Sequence, residues 1–364
     1  PNAIAGLITL FSKDPTNKLD LQSSLTIGTY NQLGFAAAIS NAITPRISYR
    51  LSTVFENSDG FRKNISKNIK NSNERDEAMH RLKLKIVPNE NVSILSTILL
   101  SKINNGYDVW APDNNSSFRT YTDDPGKDSQ DTYGLSVDGD IIFNKNVKVK
   151  NIMSLTKTKA FHSYDADWGD STYWIRQLGD VYFPIRDYYE ESKNRRSYSM
   201  ESRVYLNKIV LGLYKKELQE KQDASGYIYA GDATDGTSDF KFNSTAGYLQ
   251  HYLQLSKKLS FKSNIRIETI DYFYDGETQY GDSVLAPVNH EVQDVLVGFR
   301  ATLTYIANKN TNFFITSSRG YKSGGINQHP MLEDASRPFG PEHADNLEIS
   351  FKYSGHRLRS SFTL

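Results

Sequence analysis

Apolar and polar residues alternate along many short segments of this chain, and this two-residue period restricts the fold more than any other feature. In the first such segment, every second position from Leu19 to Ile27 is apolar except Ser23, and the positions between are polar. An α-helix would repeat its apolar positions every three or four residues, whereas a strand repeats them every two. The pattern recurs about fifteen times and predicts antiparallel strands with one apolar and one polar side.

The connections between these segments alternate in length. Tight turns such as 44–46 and 144–146 follow one segment, and long polar stretches such as 57–73 and 163–195 follow the next. A transmembrane antiparallel β-barrel has this asymmetry, with short turns at one edge and long loops at the other. A soluble β-propeller or β-helix does not place long loops on alternate connections only. The sequence therefore predicts an all-β transmembrane antiparallel barrel with about fifteen strands present.

The composition is compatible with such a barrel. Only 38% of residues are hydrophobic, which fits strands whose second face is wet. Tyrosine is abundant, with 23 residues, and tyrosine is enriched where a bilayer meets water. No apolar run approaches the roughly 18 residues that a membrane-spanning helix needs.

Several functional classes are disfavoured by composition and motifs. The 43 basic and 42 acidic residues balance, so no overall field favours a nucleic-acid partner. Cysteine is absent, which excludes disulfides and Cys-ligated metals. His290-Glu291 lacks the second histidine of a zinc-protease motif because position 294 is Asp, and no Gly-x-Ser-x-Gly nucleophile elbow occurs. We expect no metal centre, no cofactor and no enzymatic activity.

Two stretches resemble parts of one known family. The first is Arg319-Gly320-Tyr321-Lys322-Ser323-Gly324-Gly325, followed by Pro341-Glu342-x-x-Asp345-Asn346-x-Glu348-Ile349. It resembles the late barrel region of TonB-dependent outer-membrane receptors. The second, 1–15 at the start of the chain, is similar to the last strand of the plug domain in the same family. The two stretches occur in the family's order.

The resemblance implies a domain organisation. Family members close with 22 strands around a plug. Residues 1–16 would be the end of the plug domain and residues 17–364 a partial barrel. About a third of the barrel and nearly all of the plug would then lie outside this chain.

It also implies a function. The expected activity is TonB-dependent uptake of a ligand, most closely a ferric siderophore, across the bacterial outer membrane. The inner-membrane TonB complex would engage a segment upstream of Pro1. Uptake of a glycan or cobalamin by the same mechanism is an alternative, and a passive porin-like channel without a plug is another. An outer-membrane enzyme would need Ser, His and an acid on adjacent strands.

The candidate ligand-binding residues lie in predicted extracellular loops. Flat aromatic faces and cations would suit a bulky anionic ferric chelate, although the same rings can simply pack loops together. These residues are Tyr107, Trp110, Trp168, Trp174, Arg176, Tyr182 and Arg186. By resemblance alone, Glu342 and Glu348 are candidates for contact with plug arginines.

Three charged loops have a second interpretation each. Asp165, Asp167 and Asp170 form one acidic run and residues 232–239 another, but neither fits a calcium-loop pattern, and solvated loop tips are favoured. A basic loop with Arg62, Lys63, Lys67 and Lys70 could contact lipopolysaccharide phosphates, although solvation is again favoured. Because the chain is expected in the outer membrane, outer-membrane lipid and lipopolysaccharide are expected partners.

Overall fold

The computed structural model describes residues 8–179, 187–228, 232–281, 283–327 and 334–364, and these form an almost entirely β structure. The strands are β1 Asp20–Ile27, β2 Leu33–Thr44, β3 Ile47–Ser58, β4 Lys63–Asn64, β5 Arg75–Asn89, β6 Val92–Tyr107, β7 Arg119–Thr120, β8 Gly126–Asn144, β9 Val147–Asp165, β10 Tyr188–Leu206, β11 Ile209–Ile228, β12 Asp232–Gln254, β13 Leu259–Tyr280, β14 Ser283–Val284, β15 Val288–Asn308, β16 Thr311–Lys322, β17 Gly325–Ile326, β18 Pro338–Phe339, β19 Glu342–Ser354 and β20 Arg359–Thr363. The helical elements are α1 Ser171–Leu178 and a 3₁₀ turn at Asp334–Ser336.

One antiparallel sheet contains 16 of the described strands. Its strands follow one another in chain order from β1 to β20, and β14 pairs only with the end of β13. The remaining short strands lie outside the sheet, with β4 paired to β7 and β17 paired to β18. The fold class and the expectation of about fifteen consecutive strands are confirmed.

The two faces of the sheet differ in chemistry. On β11, Leu211 and Leu213 point to one side, where Leu213 is 70% exposed, and Tyr214 and Lys216 lie on the other. The same division continues along the sheet, so one face carries an exposed apolar belt. The other face is mostly polar, apart from a small buried cluster of Ile270, Tyr272, Leu296 and Tyr321. We call them the apolar face and the polar face. An exposed belt of this size indicates contact with lipid. Among the described residues, no helix is long and apolar enough to cross a bilayer.

Several strands extend far beyond the apolar belt. The expected loop at 163–195 is shorter, because β9 continues to Asp165 and β10 begins at Tyr188. The acidic run at 232–239 was interpreted as a loop, and this is wrong, since it lies within β12. Both faces of these extensions are polar, so they lack the alternation that identifies a half-buried strand.

The segment before β1 lies on the polar face. The Thr16 backbone N–H donates to Ser40 Oγ at 2.8 Å, and Lys83 Nζ donates to the Ser12 carbonyl at 3.0 Å and to Asp14 at 2.8 Å. Arg50 pairs with Asp20 at 2.8 Å. Residues 12–16 are thus tied to β2 and β5 without joining the ladder. Their assignment to a plug domain stays a prediction.

The division of faces predicts different costs for the same new charge. Leu213→Lys on the apolar face should lower the free energy of unfolding in lipid vesicles by about 2–4 kcal/mol, because an ammonium enters hydrocarbon. Gln250→Lys on the polar face is the matched control and should change it little. Urea titration of the complete protein in vesicles measures both, and equal losses would show that the apolar face does not meet lipid.

Candidate ligand-recognition surface and polar network

Three loops at the long-loop edge of the sheet converge into one structured surface. Residues 59–74 follow β3, residues 108–125 follow β6, and residues 166–179 follow β9. Short β4 pairs in parallel with β7, which joins the first loop to the second. A bridge between Tyr121 and Gly169 joins the second to the third. We call these three segments the loop platform.

Asp108 holds the first two loops together. Its side chain is 1% exposed and accepts hydrogen bonds from Asn64 Nδ2 at 3.1 Å, Thr120 Oγ1 at 2.6 Å and Thr122 Oγ1 at 3.0 Å. A buried carboxylate is tolerated when several donors satisfy it, and charged hydrogen bonds are the strong ones. Asp108 therefore fixes the geometry of the platform.

Asp170 performs the same task for the third loop. It accepts a hydrogen bond from Ser66, whose hydroxyl also contacts the Tyr121 carbonyl oxygen. Its other oxygen accepts from the Tyr173 backbone N–H at 2.7 Å and caps α1. An aspartate in this position satisfies a free donor of the first helical turn. The sequence pattern did not predict this helix.

Aromatic residues from two loops meet on the platform. The Trp110 and Trp168 rings stack at 5.9 Å with an interplanar angle of 24°, and remain 54% and 40% exposed. Trp168 has a φ of 62°, an unfavourable conformation for a bulky residue that the surrounding contacts maintain. Trp174 instead packs its ring on Tyr173 at 5.2 Å. The structure thus brings the three tryptophans into one region but gives only two of them an open face.

The other candidate ligand residues occupy different positions. Tyr107 lies at the base of the platform, where its ring contacts His162 edge-on at 4.6 Å. Arg176 is exposed on the last turn of α1. Tyr182 and Arg186 lie outside the described residues.

Basic and acidic side chains of the loop platform differ in their exposure. The exposed cations are Lys63, Lys67, Lys70, Arg119 and Arg176, whereas Arg62 is half-buried against the Phe61 ring. Asp108 and Asp165 are buried, and Asp167 and Asp170 are partly covered. Asp113 is exposed, with hydrogen bonds from Asn115 and Tyr121 that lower its pKa. Asp59, Glu74, Asp123 and Asp124 are half-buried. The fully exposed charged side chains of the described platform are therefore mainly cations.

The acidic run is used internally. Asp165 accepts hydrogen bonds from the backbone N–H groups of Trp168 at 2.8 Å and Asp123 at 3.1 Å. Asp167 accepts from Gly169 at 3.0 Å and Asp187 at 3.0 Å. No group of three metal-ligating side chains occurs within the described ranges. These carboxylates therefore act as loop connectors in this structure.

Burial, followed in size by repulsion from the neighbouring Asp167 carboxylate, raises the pKa of Asp165 to about 8. Asp165 ends β9, ten positions beyond Leu155, the last apolar residue of the belt on that strand, and so lies well outside the membrane-spanning part. Asp165 therefore carries its proton at neutral pH.

The family-like stretch at 319–325 splits between the two faces. Arg319 forms a two-pronged pair with Asp345 on the neighbouring strand, at 2.7 Å for both contacts, and is exposed. The ladder between β15 and β16 ends at Phe299–Arg319, so the chain leaves β15 at Gly320. Tyr321 consequently points to the polar face and is buried.

Tyr321 completes a buried polar network. Its hydroxyl lies 3.2 Å from Arg266 Nε and donates to Glu268, which is 1% exposed. Glu268 also accepts from Ser244 and pairs with Arg266 at 3.1 Å. The Tyr321 ring lies across Gly298, where an added Cβ would come within 2.8 Å of it. Position 298 therefore has to be glycine for Tyr321 to reach β13.

A second network repeats this arrangement. Tyr248 on β12 lies across Gly212 on β11 and donates to Glu201 on β10 at 2.5 Å. Glu201 pairs with Arg203 at 2.6 Å. The two networks touch, because the Arg266 guanidinium lies 5.9 Å from the Tyr248 ring centre. Sequence reasoning missed both networks, although charge pairs of opposite sign two positions apart were visible at 201–203 and 266–268.

The glycine-rich part of the stretch folds against the polar face. The Gly324 N–H donates to Asp294 at 3.0 Å, and Ser323 contacts the Tyr272 hydroxyl. A Cβ on Gly324 would lie 2.3 Å from the Phe339 carbonyl oxygen, so the close approach of β17 and β18 requires glycine there. On Gly325, a Cβ would meet the Phe339 ring at 2.7 Å.

The two candidate plug-contact glutamates differ. Glu342 pairs with Lys322 at 3.7 Å across β16 and β19, with both side chains more than half exposed. Glu348 is half-buried opposite Thr316, which lies on the polar face. Within the described residues, Glu348 has no ion pair. Contact of either residue with a plug stays a prediction.

The buried network predicts that Tyr321 and Arg319, two residues of the stretch 319–325, contribute unequally to the free energy of unfolding. Tyr321→Phe removes a donor from buried Glu268 and should lower the free energy of unfolding by about 1–3 kcal/mol. Arg319→Gln, two positions away, should leave it essentially unchanged, because that pair is exposed to water. Chemical unfolding of both variants is the test, and equal effects would contradict the role of Tyr321.

The raised pKa of Asp165 predicts a pH-dependent platform. Because its folded pKa of about 8 lies above the ordinary value of 3.8, the contribution of Asp165 to stability is complete below that ordinary value and is lost as pH rises to about 8. Amide protection factors at 123, 124 and 168 should therefore fall from acid pH and level off above about 8. Hydrogen exchange across this range measures them.

Two variants control the pH experiment. Asp165→Asn removes the titrating group and should flatten the profile. Asp113→Asn should leave the profile unchanged, because the lowered pKa of Asp113 keeps it ionised throughout. A wild-type profile without slope would contradict the raised pKa of Asp165.

The fold matches solved structures of low sequence identity. The ferric yersiniabactin uptake receptor FyuA from Yersinia pestis aligns with a TM-score of 0.77 and 12% identity, over 95% of this chain and 53% of that one. The siderophore receptor PiuA from Acinetobacter baumannii gives 0.69 and 12%, over 94% and 56%. The ferric-catecholate import receptor Fiu from E. coli gives 0.66 and 15%, over 98% and 59%. The chain thus spans about half the length of these proteins.

Sequence comparison gives a family assignment. No curated protein matches the chain. The sequence model described as TonB dependent receptor-like, beta-barrel, matches residues 87–364. Since this match covers well over half of the sequence and agrees with the fold, the chain belongs to the TonB-dependent receptor β-barrel family, whose members are outer-membrane transport receptors and not enzymes.

Proposed function

We propose that this chain forms the ligand-capturing part of a receptor that takes up a ferric siderophore across the outer membrane with energy delivered by the TonB complex. The observation that carries this proposal is the loop platform, which presents the open Trp110–Trp168 pair among exposed cations. Flat rings and positive charge together suit a bulky anionic chelate with aromatic groups.

The architecture of the platform supports capture of a ligand. Its buried side is fastened by Asp108 and Asp170, so the tryptophan pair is presented by a preorganised surface. A preorganised site loses less conformational entropy when it binds. Neutral glycans would also stack on the tryptophans but would gain nothing from Lys63, Arg119 or Arg176.

A plug and TonB would complete the receptor. We propose that Glu348 faces the plug, because its carboxylate is half-buried on the polar face and lacks an ion pair in the described part of the chain. Glu342 is a weaker candidate, since Lys322 already accompanies it. The contacts of residues 12–16 with β2 and β5 fit a plug end that leads into the first strand.

Charge-assisted capture predicts salt-sensitive binding. Ferric siderophores should bind the complete receptor more weakly as ionic strength rises, because salt screens exposed charges. Ferric catecholates, ferric hydroxamates, cobalamin and oligosaccharides would be titrated side by side by calorimetry. Salt-insensitive binding of an oligosaccharide, with no response to iron chelates, would overturn the iron proposal.

Single substitutions test whether the siderophore binds to the loop platform. Trp168→Ala removes half of the open pair and should weaken siderophore binding roughly 2–10-fold. Arg176→Gln should reduce the salt dependence. Phe143→Ala removes another aromatic ring, which is 65% exposed and lies at the short-turn edge, so this control variant should have no effect.

A further inference from the structure

A large groove lies on the apolar face, away from the loop platform. It has a volume of about 640 Å³ and crosses strands β6 to β12. It lies at the margin of the apolar belt nearest the long-loop edge, which we call the upper margin. Its lining combines aliphatic residues with three cations, Lys157, Arg196 and Lys241, and one carboxylate, Glu217.

The lower wall of the groove is apolar. Ile98 and Leu100 of β6, Leu135 of β8 and Leu155 of β9 line it, and all four are exposed on the apolar face. Tyr133 borders the same side and is 55% exposed, so a large ring stands at the margin between belt and polar extension. Tyrosine is suited to this position, since one end is apolar and the other polar.

The wall nearest the long-loop edge is mainly cationic, since its one carboxylate, Glu217, is paired with Lys215 at 2.6 Å. Lys157 follows Leu155 on the same face of β9, and Arg196 precedes Tyr198 on the same face of β10. On its own strand, each of these two cations therefore lies just beyond the apolar belt, on the same face. Lys241 joins them from β12, with Asp239 3.8 Å away and the Phe273 ring 4.8 Å away.

Lys157 and Arg196 are direct cross-strand partners. Like charges in such a pair are separated by only about 5 Å at Cβ and are destabilising. Neither residue has an ion pair within the described ranges. An anion placed between the two would relieve this repulsion and accept from both, with the guanidinium offering two parallel donors.

We propose that this groove binds a membrane lipid with a phosphorylated headgroup, whose phosphate lies between Lys157 and Arg196 and whose acyl chains lie along Ile98, Leu100, Leu135 and Leu155. The apolar wall distinguishes such a lipid from a free anion, which would gain nothing from it. The groove opens on the face that meets lipid, so a soluble ligand captured by the loop platform does not reach it. The proposal rests on outer-membrane location and not on uptake.

The probe for the experiment is bis-phosphorylated lipid A, added to the delipidated complete receptor in detergent. Native mass spectrometry would compare its retention with that of the dephosphorylated lipid. The receptor should retain the phosphorylated form about tenfold better, as expected for one charge-assisted contact set. Inorganic phosphate in millimolar excess should not displace it, because phosphate alone lacks the acyl contacts.

Variants locate the site. Lys157→Gln combined with Arg196→Gln should abolish the preference for the phosphorylated lipid, and Lys157→Arg should keep it. Lys145→Gln combined with Lys309→Gln is charge-matched and lies at the short-turn edge, so it should behave as wild type. Heat-modifiable migration on a gel verifies that each variant is folded. Unchanged preference in the first double variant, or displacement by inorganic phosphate, would overturn the proposal.

Discussion

Pairing of backbone hydrogen-bond groups is the constraint on which the rest of this structure depends. Hydrocarbon offers no hydrogen-bond partner for an N–H or C=O group. The backbone groups of every strand at bilayer depth must therefore be hydrogen-bonded to the neighbouring strands in a continuous ladder. The chain meets this requirement by laying each long strand beside the next in sequence order. Consecutive pairing fixes which loops become neighbours, and the loop platform arises because the loops after β3, β6 and β9 leave the same edge close together.

Buried carboxylates and exposed cations have different positions in this structure. On the polar face, carboxylates such as Glu201 and Glu268 are covered and each is joined to an arginine two positions along its own strand. On the platform, buried carboxylates accept from backbone and hydroxyl groups, and cations stand outside. A buried acid satisfied by local donors acts as a fastener, whereas an exposed cation remains available to other molecules. This division separates stability from recognition.

The amino-acid pattern predicted the strands at bilayer depth and the short turns, because lipid imposes the two-residue alternation directly on the sequence. The family was predicted separately, from the resemblance of residues 319–349 and 1–15 to its members. Family, fold class, outer-membrane location and the absence of enzymatic activity are confirmed by the family match. The extensions of β11 and β12 were not predicted, since water on both faces leaves no alternation to detect. Trp110, Trp168 and Trp174 were identified by type, but their different roles depend on contacts between loops. The roles of the candidate ligand and plug residues, and the boundary of the plug, stay predictions.

Two tyrosines in this sheet each cross a neighbouring strand to reach a glutamate on the strand beyond it. Tyr248 passes over Gly212, and Tyr321 passes over Gly298. The glycine, the tyrosine and the glutamate of each set come from three different strands, yet a change at one of them affects the other two. A side chain at the glycine would lift the ring, and loss of the tyrosine hydroxyl would leave the glutamate short of a donor. Substitutions at these positions should therefore be better tolerated in combination than alone, so that the three positions of each set vary together among related sequences.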